Sequence, residues 1–169
     1  MSQAITQKIA KDIFTFAPKL SRQTLALVPD KLKLDLLSQL LNLLLAEQIK
    51  LQELDFLQHK WVGIVVDDIG LSFEVSIDNN KLQIRPMADS DVVFSANVPE
   101  LVLVAAGKED PDTLFFQRKL LIEGDTELGL EVKNLLLGIE LDTMPKPVQI
   151  AIEKLAITIQ TLQGQLDIH

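Results

Sequence analysis

The chain of 169 residues contains two histidines and no cysteine, so the residue types that most often carry covalent chemistry are scarce. A hydroxyl nucleophile needs a base within hydrogen-bond reach and a third group that orients the base. His169 is the last residue, and His59 stands between Gln58 and Lys60 just before a strand-like run, which reads as a surface turn. No catalytic residue is assigned. The lack of cysteine removes disulfides, thiolate catalysis, zinc-thiolate sites and iron–sulfur ligation together. Two carboxylate pairs, Asp67-Asp68 and Asp89 with Asp91, could hold a cation or share a proton. Both pairs fall in turns with no further oxygen ligand at calcium-loop spacing, so they read as acceptors for backbone N–H groups, and no metal or cofactor is expected. The run Gly124-Asp125-Thr126-Glu127-Leu128-Gly129 has the outline of a phosphate loop but lacks the Gly-Lys-Ser/Thr ending and puts carboxylates where phosphate would sit. It reads as a tight strand-to-helix turn.

What remains is apolar surface and the elements that carry it. Hydrophobic residues make up 47% of the chain and charged residues 24%. That composition suits a folded domain with more apolar area than one small core requires. The surplus fits a ligand cavity, an oligomer interface such as a homodimer through leucine-rich helices, or a membrane surface. The net charge of −8 disfavours nucleic acid. Residues 1–34 carry +4, which leaves −12 for residues 35–169. No window is long and unbroken enough for a membrane span, and the N-terminus lacks the pattern of a secretory signal, so the expected location is the cytoplasm.

Helical spacing places Ile5, Ile9, Ile13 and Phe16 on one stripe, with Lys8 and Lys11 beside it and Lys19 and Arg22 following Pro18. A second helix is expected from Asp30, as N-cap, to about Lys50, with Asp35, Ser38, Gln39 and Asn42 forming its polar strip and leucine nearly everywhere else. The period then changes to alternation. Trp61–Val66 is apolar on both faces; Leu71, Phe73, Val75 and Ile77 alternate with Ser72, Glu74, Ser76 and Asp78; Asn79-Asn80 turns the chain into Lys81–Arg85. Val92, Phe94 and Ala96, and later Leu120 and Ile122 in Lys119–Glu123, point inward. Asn97, Asp110 and either Asp125 or Thr126 are natural caps for three following helices, the third reaching about Leu141, and a last helix carries Val148, Ile152, Leu155, Ile159 and Leu162 on one stripe. The fold class that follows is α+β: about five mostly antiparallel strands, one face wet and one covered by helices, plus an extra N-terminal helix.

The run from Asp110 to Leu137, with Phe115-Phe116-Gln117, Lys119-Leu120, Ile122-Glu123-Gly124-Asp125 and Leu128 to Lys133 in order, resembles the C-terminal half of the sterol carrier protein type-2 (sterol-binding) domain. Asp-Pro-Asp-Thr-Leu-Phe-Phe-Gln-Arg combined with Glu-Gly-Asp-Thr-Glu-Leu-Gly-Leu resembles, more narrowly, bacterial ubiquinone biosynthesis accessory factors built on that domain. The resemblance implies a lipid-accommodating space between sheet and helices. It also implies a non-catalytic, peripheral membrane role in oxygen-independent (anaerobic) ubiquinone synthesis at the inner membrane. The expected partners are isoprenoid quinone precursors or phospholipid, the iron–sulfur proteins UbiU and UbiV, and other enzymes of that synthesis. The competing reading is a scaffold that recruits enzymes and fills its own core.

On that basis residues 30–169 form the lipid-binding domain and residues 1–29 a basic amphipathic extension. The inferred lipid contacts are Leu36, Leu40 and Leu44 of the leucine-rich helix; Phe73, Phe94, Leu120 and Ile122 of the sheet; and Leu101, Phe115 and Phe116 of the short helices. Leu128, Val132 and Leu136, with Ile152 and Leu155 of the last helix, complete the set. Ile5, Lys8, Ile9, Lys11, Ile13, Phe16, Lys19 and Arg22 are the candidate membrane-surface residues, since basic side chains draw an amphipathic helix to anionic lipid. Docking of the same helix on the acidic body is the alternative.

Overall fold

Alternation in the middle of the chain becomes a five-stranded sheet in the order β3-β2-β1-β4-β5. Its strands are β1 (Val62–Val66), β2 (Leu71–Asp78), β3 (Lys81–Arg85), β4 (Val92–Ala96) and β5 (Leu121–Gly124). The computed structural model describes Gln23 and residues 26–167. The extension stripe and its basic residues therefore lie outside the described residues. Three of the four strand pairings are antiparallel; β1 and β4 run parallel at the centre. The helices are α1 (Asp30–Leu44), α2 (Ala46–Lys50), α3 (Val98–Ala105), α4 (Pro111–Phe116), α5 (Thr126–Leu137) and α6 (Lys146–Asp167).

Register fixes which side chains share a face. Val75 pairs with Val62 and Ile84, and Phe94 pairs with Ile64 and Ile122, so one face is a continuous apolar sheet surface. Leu34, Leu37 and Leu41 of α1 cover it at the β3 end, and Leu128 and Val132 of α5 cover it over β4 and β5. Asn42 departs from the expected polar strip. Its Oδ1 accepts the Leu82 N–H at 3.1 Å while its Nδ2 donates to the Ser38 carbonyl at 2.7 Å, which ties α1 to a strand edge that would otherwise be open. Asp30 is the first helical residue rather than the cap, and it pairs with Lys33 at 3.1 Å. The long helix expected to Lys50 is broken at Leu45, where the backbone leaves helical geometry before α2.

The opposite face differs from the wet surface expected there. Glu74 and Ser76 of β2 are buried, at 0% and 4% exposure. The segment after β3 folds back over them, and Ser90 Oγ donates to Glu74 Oε2 at 2.6 Å while Arg85 Nε donates to Oε1. Ser76 Oγ donates to the Leu57 carbonyl at 2.9 Å from the other side. Burial pushes the Glu74 carboxyl upward, but hydrogen bonds from Ser90, Arg85 and the Ala88 backbone, with the Arg85 charge, outweigh it and hold the group below the usual carboxylate range. The Arg85 guanidinium stacks on Trp61 at 3.5 Å from the ring centroid. Gly63 lies beneath this cover, and a Cβ there would meet Ser90 Oγ at 2.6 Å and Met87 Cε at 2.7 Å.

One carboxylate of each pair, Asp68 and Asp91, acts as a backbone acceptor, and each does so across thirty residues of sequence. Asn97 makes no side-chain cap bond; the Asp68 carboxylate accepts the Val98 N–H instead, at 3.1 and 3.2 Å, and so caps α3 from thirty residues away. Asp91 accepts the Trp61 N–H at 2.8 Å. Asp110 and Asp125 cap α4 and α5 as expected, and Asp125 Oδ1 accepts from Glu127 and Leu128 N–H, occupying with its own carboxylate the place a phosphate would take. Gly124 has φ 114°, and a Cβ there would meet the Asp91 carbonyl at 2.5 Å. Helix α5 stops at Leu137, short of Leu141, because Gly138 follows.

Candidate functional site

The apolar interior is divided in two. The first core lies between sheet and helices and includes Leu54, Phe73, Phe94, Leu114, Leu120, Leu128 and Val132. The second lies between α3 and α6 and consists of Leu103, Ala106, Met144, Val148, Ile152 and Ala156. Three elements contribute to both. Helix α3 gives Val104 to the first and Leu103 to the second; α1 gives Leu41 to the first and Leu44 to the second; at the end of α5, Leu136 joins the first and Ile139, just beyond, the second. The seam between the cores runs along these residues.

An open depression of about 360 Å³ lies on that seam, with Val104, Leu136, Leu137 and Ile139 as apolar walls and Lys108, Glu109 and Asp110 as a polar rim. A second, of about 370 Å³, lies on the other side of the end of α5, between Phe56, Glu53, Glu131, Asn134, Leu135 and Gly138. Both volumes fall at the small end of the ~300–1,000 Å³ typical of ligand sites. Local sequence explains the first. Gly107, at φ 71°, ends α3, and the N–H groups of Lys108 and Glu109 return to the Leu103 carbonyl at 2.8 and 3.2 Å. Asp110 then starts α4 at once, so a helix end, a helix start and the end of α5 converge. Lys108 Nζ reaches Glu153 of α6 at 3.3 Å, a partly exposed tie across the seam. The arrangement offers apolar walls with a charged rim, which suits an amphiphile.

The residues expected to touch lipid are distributed over several environments. Phe73, Phe94, Leu120, Leu128 and Val132 are buried in the first core, with Ile122 and Leu136 packed against it. Ile152 is in the second core and Leu44 packs on it. Leu40 and Leu155 are half-buried, while Leu36, Leu101, Phe115 and Phe116 are exposed. Leu136 alone among them lines a depression. Val104, Ile139, Glu53 and Phe56 were not legible as site residues; a glycine commonly closes a helix, and Gly107 is the local signal near the first depression. His59 is exposed in a left-handed turn at φ 63°, as its neighbours suggested.

A family model for the SCP-2 sterol transfer family matches residues 37–137, a span holding the whole sheet and α3 to α5. The chain belongs to the SCP-2 sterol transfer family. It is 44% identical over 149 residues to ubiquinone biosynthesis accessory factor UbiT of Escherichia coli (strain K12), covering 88% of this chain and 86% of that protein. The same figures hold for UbiT of Escherichia coli O157:H7. The solved structure of UbiJ-SCP2, a ubiquinone synthesis protein, superposes with a TM-score of 0.53 over 66% of this chain and all of that one, at 19% identity, which shows a shared fold. The SCP-2 match ends with the last residue of α5, so α6 lies beyond it. The second core, between α3 and α6, is therefore where the matched span meets that further helix. Among the described residues no helix is long and apolar enough to cross a membrane.

Proposed function

We propose that this protein is a non-catalytic lipid-binding accessory factor for ubiquinone biosynthesis, and that it holds a polyprenylated quinone precursor or a membrane phospholipid between its two cores. The observation that carries the reading is the 44% identity to UbiT across nearly the whole of both chains, in a protein whose family is that of sterol transfer. The divided interior supports it. A lipid tail needs apolar walls that can part, and the α3–α6 contact can open without breaking any strand pairing. Phe73, Phe94, Leu128, Val132 and Leu136 would line the widened space from the sheet side and Ile152 from the α6 side. In this reading the protein supplies no redox or acid–base step. It works in the oxygen-independent branch of the synthesis, with UbiU, UbiV and other enzymes as partners, at the cytoplasmic surface of the inner membrane. The basic extension, residues 1–29, provides one contact with that surface.

The test is purification without detergent followed by organic extraction and lipid analysis. A stoichiometric prenylated aromatic or phospholipid is expected, and loss of the gene should lower ubiquinone only in cells grown without oxygen. The scaffold reading is favoured by one observation, the close packing of the first core, where Leu54, Leu82 and Leu128 are each 1% exposed. Lipid-free protein that still restores ubiquinone and still co-purifies with UbiU and UbiV would establish it.

A further inference from the structure

The most exposed aromatic side chain described in the fold lies away from the seam. Phe116, the last residue of α4, is 81% exposed, and Phe115 beside it is 39% exposed, the two rings meeting edge to face at 5.7 Å. The base of this pair is firmly held. Leu114 is 2% exposed in the first core, and Lys133 of α5 lies 5.6 Å from the Phe115 ring while pairing with Asp112 at 2.7 Å. The turn that follows is a regular helix ending: the Arg118 N–H bonds to the Phe115 carbonyl at 3.1 Å and the Lys119 N–H to the Leu114 carbonyl at 2.9 Å. In such a turn the left-handed position is normally glycine. Here it is Arg118, at φ 61°. Nothing in the turn's hydrogen bonding requires a guanidinium, and glycine would meet the backbone requirement with less strain.

The charge is as local as the aromatic exposure. Arg118-Lys119 is the only adjacent pair of basic residues in a chain of net charge −8, and residues 113–122 include no acidic residue. Both side chains are exposed. An exposed phenyl ring flanked by two cations matches an anionic bilayer, where apolar rings insert shallowly and Lys and Arg gain from the surface potential. We propose that the turn Phe115–Lys119 is an interfacial anchor, with Phe116 seated among the headgroups of anionic phospholipid and Arg118 and Lys119 on their phosphates. This contact is separate from the basic extension, and it stands whether or not the cores hold a lipid. It would set the orientation of the SCP-2 unit on the membrane: Pro111, at the other end of α4, lines the seam depression, and a helix of this length puts the two ends roughly 8 Å apart.

The experiment uses the full chain with vesicles of phosphatidylcholine, with and without a quarter phosphatidylglycerol. The chain has one native tryptophan, Trp61, so the unmodified protein gives the background for Phe116→Trp. With phosphatidylglycerol present, the introduced tryptophan is expected to shift to the blue and to be quenched by brominated acyl chains, beyond any change in the unmodified protein. Arg118→Gly preserves the turn and should weaken binding to the anionic vesicles about fivefold, and Phe116→Ser about tenfold or more. Lipid extracted from Arg118→Gly should match that of the unmodified protein, which separates failure of this proposal from failure of lipid carriage. Absence of quenching, or quenching equal on neutral vesicles, overturns the proposal. So does unchanged vesicle binding by both variants; their loss of a bound protein instead would assign the patch to a protein partner.

Discussion

The two cores are built on different principles. The first rests on a sheet whose register fixes every inward side chain, and it is filled by large residues such as Phe73, Phe94 and Leu128. The second is a contact between two helices in which three of the packing residues are alanine: Ala105, Ala106 and Ala156. Helix α6 also leaves Ile150, Ile157 and Leu162 about half exposed on its outer side. A backbone ladder resists local opening, whereas a helix held by a few side chains and one partly exposed ion pair can separate while the rest stays folded. In the function proposed above, this contrast puts the entry of the lipid at the seam, by movement of α6 against the SCP-2 unit.

The comparison can be broken most severely from the sheet side. Phe94→Ala should cost about 3–5 kcal/mol and lower the stability of the whole domain, read as one cooperative shift in urea denaturation. Ile152→Ala should cost about 2–4 kcal/mol, but hydrogen exchange should show the loss concentrated in α3 and α6 while β1, β2 and β4 stay protected. Equal loss of protection in the sheet would mean the two cores open as one. Gly63→Ala should cost about 1–3 kcal/mol, since the new methyl would press on Ser90 and Met87. Asp68→Ala should cost about 1 kcal/mol by uncapping α3 and should raise exchange at its first turn only.

The smallest effect is a change in pH dependence. The folded Glu74 carboxyl titrates below its unfolded value, so its contribution to stability is present above the unfolded value and disappears as pH falls through the lower folded one. Glu74→Gln removes that proton linkage. Its urea midpoint should fall less steeply on acidification than that of the unmodified protein, with the difference confined to the acid limb.

Much of the first core was legible because alternation, Asn79-Asn80, Asp110 and Asp125 act through neighbours in sequence. Glu74 and Ser76 were misread for the converse reason. Their alternation with Phe73 and Val75 signals a solvent face, and only the fold-back of residues 85–90 and the placement of Leu57 bury them. The Asp68 cap and the Asn42 hook likewise join residues thirty and forty apart. Of the seam only Leu136 and the helix-closing Gly107 could be read locally, because Val104 and Ile139 are ordinary apolar residues until three helix ends bring them together.

The central claim, that a lipid occupies the seam, is tested most directly by photo-crosslinking the full chain with a phospholipid carrying a diazirine in its acyl chain, followed by peptide mapping. The account predicts labels on Val104, Leu136 and Ile139 and on the inner side of α6 around Ile152. Labelling confined to outward residues such as Ile150, Ile157 and Phe116, with none at the seam, would contradict it.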